Sequence, residues 1–144
     1  MSFQGEVHSF KNKTMKRMEQ IRRGTILQLF KDVSRDTPVA KGLLRGNWQT
    51  AIGQPKNSII ERKDKAGTQV EAEISGNLGE YGDTIHLTNN LPYAKVAEYG
   101  EWNGPTALVT AKGFSRKASK GMMRKNAIRF NKLLAKRVKS TQSR

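Results

Sequence analysis

Residues 37–50 read TPVAKGLLRGNWQT, and this stretch decides where the chain turns. Pro38 pushes Thr37 out of the helical region, so a helix arriving from the N-terminal side ends by about residue 36. Gly42 and Gly46 supply turning freedom, while Leu43, Leu44 and Trp48 supply apolar anchors. NWQTAI then continues as a strand, with Trp48, Thr50 and Ile52 on one side and Gln49 and Ala51 on the other. Arg45 has no acidic neighbour in sequence, so it pairs with a distant acid or reaches a partner. The stretch reads as a helix-to-strand corner.

Upstream, residues 9–34 predict one long amphipathic helix. Met15, Met18, Ile21, Ile26, Leu29, Phe30 and Val33 recur mostly at three- and four-residue steps, and Lys13, Lys16, Arg17, Arg23 and Lys31 take the other side. Downstream, SIIERKDKAGTQVEAEIS predicts a hairpin with strands near 58–63 and 68–75 around DKAG. Val70, Ala72 and Ile74 would form its buried face, and Glu71 and Glu73 its wet one. GNLGEYGD is a glycine-punctuated loop and TIHLTN a short strand whose His86 is structural. NLPYAKVAEYG follows as a helical turn directing Tyr93, Val96 and Ala97 inward, and EWNGPTALVTAKGF as an irregular, exposed connection.

The last element runs from about Ser119 to Lys139. Met123, Ala127, Phe130, Leu134 and Val138 step by four, three, four and four, giving a narrow apolar stripe among basic residues. Helix, antiparallel strands and helix together define an α+β class: a long N-terminal helix, a small antiparallel sheet and a basic C-terminal helix packed on one sheet face. The 144 residues read as a single domain, with 1–8 and 140–144 as flexible ends.

Charge is the strongest compositional signal: 27 Lys+Arg against 12 Asp+Glu, a formal net charge of +15. It is uneven. Residues 1–60 carry 11 basic and 4 acidic side chains, residues 61–101 carry 4 and 8, and residues 102–144 carry 12 and none. An acid-free basic segment repels itself unless a polyanion or an acidic protein surface lies nearby; a solvated basic tail is the alternative. The candidate contact residues are Lys120, Arg124, Arg129, Lys132 and Lys136. Few aromatics interleave with them, so base stacking is not expected and phosphate contact would be independent of sequence.

No apolar run is long enough to cross a bilayer, and the N-terminal stretch lacks a signal-peptide core. The expectation is a soluble chain of the cytoplasm. With no cysteine there is no disulfide, thiolate zinc site or cysteine nucleophile. His8 and His86 fall in different elements without metal-ligand spacing. GxSxG, HExxH and Walker patterns are absent. No enzymatic activity, cofactor or metal is expected.

Three blocks carry a family resemblance. TPVAKGLLRGNW resembles the signature of tailed-bacteriophage tail-completion proteins of the minor-tail, lambda Z-like group, in which Thr-Pro-Val, a glycine, Leu-Arg and a tryptophan follow a long first helix. Tyr93-Ala94 through Glu98-Tyr99-Gly100 resembles the second block, and Ala118-Ser119-Lys120-Gly121-Met122-Met123-Arg124 the third. The chain departs from the pattern at Ala40-Lys41, where the family carries Asp-Thr, and at Ser119, where it carries proline. The resemblance implies motif positions at Pro38, Gly42, Leu44, Arg45, Trp48, Tyr93, Glu98, Gly100, Gly121 and Met122. It implies a structural protein of the virion neck, assembled in the host cytoplasm as a homo-oligomeric ring at the head–tail junction. Its partners would be other copies, neighbouring neck and tail proteins, and packaged DNA through phosphate contacts. Leu43, Leu44 and Arg45 would then lie at an edge where a neighbouring subunit docks. The other reading is a basic, sequence-independent nucleic-acid-binding accessory protein working alone.

Overall fold

A computed structural model describes residues 2–100 and 118–142; the connection expected over 101–114 lies outside them. The elements are α1 (Phe3–Arg35), α2 (Leu43–Gly46), β1 (Gln49–Ile52), α3 (Thr68–Gly76), β2 (Ile85–Thr88), α4 (Ala94–Tyr99), α5 (Met123–Ile128) and α6 (Phe130–Gln142). This is the α+β arrangement expected from the sequence: a long first helix, a two-stranded antiparallel sheet and C-terminal helices packed on the rest. Those last helices lie chiefly along α1.

α1 begins earlier than its apolar periodicity suggests. Ser2 Oγ accepts the N–H of Gly5 at 3.1 Å and caps the first turn. Residues 3–8, read from sequence as a flexible end, are therefore helical. α1 stops at Arg35, and the backbone N–H of Asp36 closes its last turn on the carbonyl of Asp32, as Pro38 requires. At the other end, α6 continues to Gln142.

The corner is tighter than a flexible turn. Gly42 has φ +87°, and a Cβ on Gly46 would sit 1.8 Å from the carbonyl oxygen of Arg62. The backbone of residues 60–65 crosses this corner as a strap. Asn47 clasps Ile60 by donating to its carbonyl and accepting its N–H, at 2.8 and 2.9 Å. Arg62 donates to the carbonyls of Gly46 and Trp48, each at 2.7 Å. Trp48 is 4% exposed, and its Nε1–H donates to Thr37 Oγ1 at 2.7 Å, which in turn donates to the carbonyl of Val33. The tryptophan thus joins the end of α1 to the start of β1.

The strap replaces the expected hairpin. Residues 58–63 form no strand, and residues 68–76 are the helix α3. Val70 and Ile74, four apart, are fully buried, whereas Ala72 between them is exposed. That is helical periodicity, and a two-residue alternation contains it. The deciding residue is Asp64, whose carboxylate accepts the N–H groups of Gly67 and Val70 at 3.0 and 2.9 Å and nucleates the helix. Glu71 and Glu73 are paired: Glu71 with Lys31 and Arg35 of α1, Glu73 with Arg62 and the N–H of Thr50.

β1 pairs with β2 antiparallel, Gln49 opposite Thr88 and Ile52 opposite Ile85. The expected alternation fails because Gln49, Thr50 and Ala51 are all buried, and only Ile52 is exposed. Both faces are covered. Gln49 donates to the carbonyl of Ser58, and Thr50 Oγ1 accepts from Asn77. The core formed by Val33, Leu44, Trp48, Val70, Ile74 and Met122 lies between α1, the corner and α3.

Replacing Trp48 by alanine removes the indole from this core and should destabilise the protein by about 3–5 kcal/mol. Trp48→Phe keeps most of the packing and loses the bond to Thr37, for about 1 kcal/mol. Thermal denaturation of the two variants checks the ordering; equal melting temperatures for wild type and Trp48→Ala would contradict it.

Candidate functional site

The motif residues assemble into two clamps. The first is centred on Arg45. Its Nε donates to the carbonyl of Ser34 at 2.9 Å, and Nη2 to those of Arg35 and Thr37 at 3.0 and 3.1 Å; Nη1 donates to the carbonyl of Lys65. A cation thus satisfies the terminal carbonyls of α1, where the helix dipole favours positive charge. The expectation that Leu43, Leu44 and Arg45 form a docking edge is corrected. Leu44 is 7% exposed and Arg45 is committed to carbonyls of its own chain. Pro38 and Leu43, both half-buried, belong to the same corner.

The second clamp joins the second and third sequence blocks. α4 presents Glu98, 6% exposed, to the start of α5. One carboxylate oxygen accepts the N–H groups of Met122 and Met123 at 2.6 and 2.8 Å, and the other accepts the N–H and Nε of Arg124 at 2.9 and 3.1 Å. α5 has no side-chain cap of its own, so a residue 24 positions upstream of Met122 performs that role. Gly121 makes the approach possible: its φ is +79°, and a Cβ there would fall 2.7 Å from Glu98 Oε1. Met122, 1% exposed, drops into the core beside the clamp.

Burial pushes the Glu98 carboxyl upward, but the backbone N–H bonds from Arg124, Met123 and Met122, with the Arg124 side chain, outweigh it and hold it below its ordinary value. A carboxylate so fully donated to is a structural anion and not a general base. Arg124 also donates to the Glu98 carbonyl and lies 4.9 Å above the Tyr99 ring. Tyr93 packs half-buried against the core and precedes α4, and burial raises its phenol. Gly100, with φ +93°, ends α4.

The candidate contact residues therefore divide. Arg124 belongs to the clamp. Lys120 is exposed on the turn before α5, and Arg129, Lys132, Lys136 and Lys139 recur at three-, four- and three-residue steps along the exposed side of α6 and its entry. None of these five pairs with an acid among the described residues. Arg129 interrupts the single helix expected over 119–139, its N–H closing on the carbonyl of Asn126. The expected apolar stripe shifts with that break. Met123 and Phe130 are 39% and 38% exposed, and Asn126 is buried instead, donating to Asp36 Oδ2 at 2.9 Å and to the carbonyl of Met122. Lys125 adds an ion pair with Asp36 at 3.3 Å.

Between α1 and α6 lies a shallow groove of about 410 Å³ lined by Gln28, Asp32, Leu133, Lys136, Arg137 and Ser140. Among the described residues no three His, Asp or Glu side chains come together as a metal site, and no helix is long and apolar enough to cross a membrane. His86 Nε2 lies 3.1 Å from the carbonyl of Gly53, on the sheet. No protein-family profile, curated protein or solved structure matches the chain.

Sequence reasoning missed Asp64, Asn47 and Arg62, whose roles depend on the strap; it began α1 at residue 9, short of Phe3 and Val7, and left Phe10 out of the apolar pattern. Those three stand at helical spacing of four and three, a signal that was present.

The depressed Glu98 carboxyl makes part of the stability dependent on pH. Its contribution is full above the ordinary value of 4.5 and is lost as pH falls through the lower folded-state value, because the unfolded chain takes up the proton first. Glu98→Gln should lower stability at neutral pH by on the order of 3 kcal/mol. It should also flatten the loss of stability below pH 4.5, measured by urea denaturation across pH. An unchanged acid limb would mean that Glu98 is not the titrating group.

Proposed function

We propose that this chain is a structural protein of the bacteriophage neck, a tail-completion protein that assembles with other copies and neighbouring neck and tail proteins at the head–tail junction of the virion. It would be made in the host cytoplasm and have no catalytic role. One observation supports this reading above the rest. The residues of the three resembling blocks serve as scaffold: Arg45 and Trp48 hold the first corner, and Glu98, Gly121, Met122 and Arg124 hold the second. Such a division of labour suits a ring subunit, whose sequence motif preserves a shape while its outer surfaces meet different neighbours. The basic row of α6 is the surface offered to acidic protein or to DNA.

That row also favours a second reading, a nucleic-acid-binding accessory protein. Four phosphates neutralised by Arg129, Lys132, Lys136 and Lys139 would make affinity fall with salt at a log–log slope of about −3.6. Docking on a protein ring is less salt-sensitive, because shape and apolar burial act alongside charge.

Removing residues 119–144 would take Met122 and the Glu98 clamp with it and unfold the domain, so charge reversal is the cleaner test. Lys132→Glu with Lys136→Glu alters exposed side chains and should leave stability within about 0.5 kcal/mol. In phage dependent on the altered protein, heads and tails should accumulate unjoined. Fully joined, infectious particles would refute the neck reading. A monomer with the steep salt slope would transfer the function to nucleic-acid binding.

A further inference from the structure

α1 carries a row at packing-face spacing whose apolar members are Phe3, Val7, Phe10 and Ile21, and the described residues cover only half its length. Positions 3, 7, 10, 14, 17, 21, 24 and 28 alternate steps of four and three, the spacing of one face of a packed helix. The C-terminal half of this row is occupied by α6, running antiparallel to α1. Arg137 lies against Gly24, and Arg17 Nε donates to Thr141 Oγ1 at 3.2 Å. Beyond Arg17 the row continues as Thr14, Phe10, Val7 and Phe3, and its apolar members are 73%, 50% and 80% exposed. These residues form an arm about 18 Å long.

We propose that this arm pairs antiparallel with the same arm of a second copy. The observation that carries the proposal is the continuity of the row with the α1–α6 seam. An antiparallel partner arm runs in the same direction as α6 and begins where α6 ends, so it extends the existing packing without a change of geometry. Its positive N-terminal end also faces the negative C-terminal end of α6. The register follows from the spacing: Val7 lies opposite Phe10 of the second copy, and Phe3 opposite Thr14. Glu6 then flanks Lys13 of the other arm, twice by symmetry. Parallel pairing would bring two bodies of net charge +15 side by side, whereas antiparallel pairing sets them at opposite ends.

The contact is two-fold and isologous, so it closes a pair and not a ring. It does not rest on the neck reading, and it adds to it a contact between copies distinct from ring closure. Two phenylalanines and a valine per arm bury about 1,000 Å² in total, below the usual size of a stable interface, so the pair should dissociate on dilution.

Because the chain has no cysteine, introduced thiols report the contact without background. Full-length Val7→Cys and Phe10→Cys chains are mixed at high concentration, oxidised mildly and resolved by mass. The expected product is predominantly the mixed Val7→Cys–Phe10→Cys dimer, and it should fall at least about tenfold with Phe3→Ser in both chains, a loss of 1.4 kcal/mol or more. Sedimentation of the wild type should show a monomer–dimer equilibrium that Phe10→Ser shifts to monomer at unchanged melting temperature. Dominant Val7–Val7 dimers would overturn the register. A wild type that stays monomeric at high concentration, or crosslinks from a photoreactive residue at position 10 into residues 101–117 of the same chain, would overturn the pairing.

Discussion

The end of α1 depends on one guanidinium. Arg45 gathers the carbonyls of Ser34, Arg35 and Thr37, groups a helix terminus leaves without partners, and adds the carbonyl of Lys65 from the strap. A lysine could not do this, because it lacks the planar fork that reaches several acceptors at once. With the helix end held, Thr37 is positioned to accept from Trp48, and the chain leaves the corner in the direction of β1. The strap in turn is held down on Gly46, where any side chain would collide with the Arg62 carbonyl. Corner, strap and first strand are tied together by these shared hydrogen bonds.

The Glu98 clamp answers the Arg45 clamp with opposite charge. A cation closes the C-terminal end of one helix and an anion opens the N-terminal end of another, each complementing the local helix dipole. Both residues are charged and sit within recognisable sequence blocks, the profile by which catalytic residues are usually suspected. Each instead makes four hydrogen bonds to groups of its own chain. Arg124 illustrates the point: it stands in a basic segment, yet it is held by Glu98 and Tyr99, and the outward charge is left to its neighbours.

Once the clamps have used their charges, the remaining basic residues segregate. Four acids of the middle segment are spent internally: Glu71 on Lys31 and Arg35, Glu73 on Arg62, Glu98 on Arg124, and Asp64 on α3. No salt bridge joins an acid to the row along α6 among the described residues, and the surface presents a one-signed face there. The arm of α1 is the complementary case, with Phe3, Val7 and Phe10 exposed along one row.

The sequence by itself determined the elements whose signals are local. Pro38 and the two glycines ended α1 and turned the chain, periodicity marked α1 and the last helical segment, and NWQTAI and TIHLTN marked β1 and β2 as short strands. It also determined the charge asymmetry. The tertiary structure decided whatever depended on partners distant in sequence. TQVEAEIS carries both a two-residue and a four-residue apolar pattern, and it became helix because Asp64, held by the strap, caps it. The break at Arg129 and the burial of Asn126 followed from Asp36 of α1, 90 residues earlier, reaching the Asn126 amide. The exposure of Phe3, Val7 and Phe10 could not be read locally either, since it depends on where α6 ends along α1. Local patterns state which face of an element is apolar; only the assembled fold determines what, if anything, lies against it.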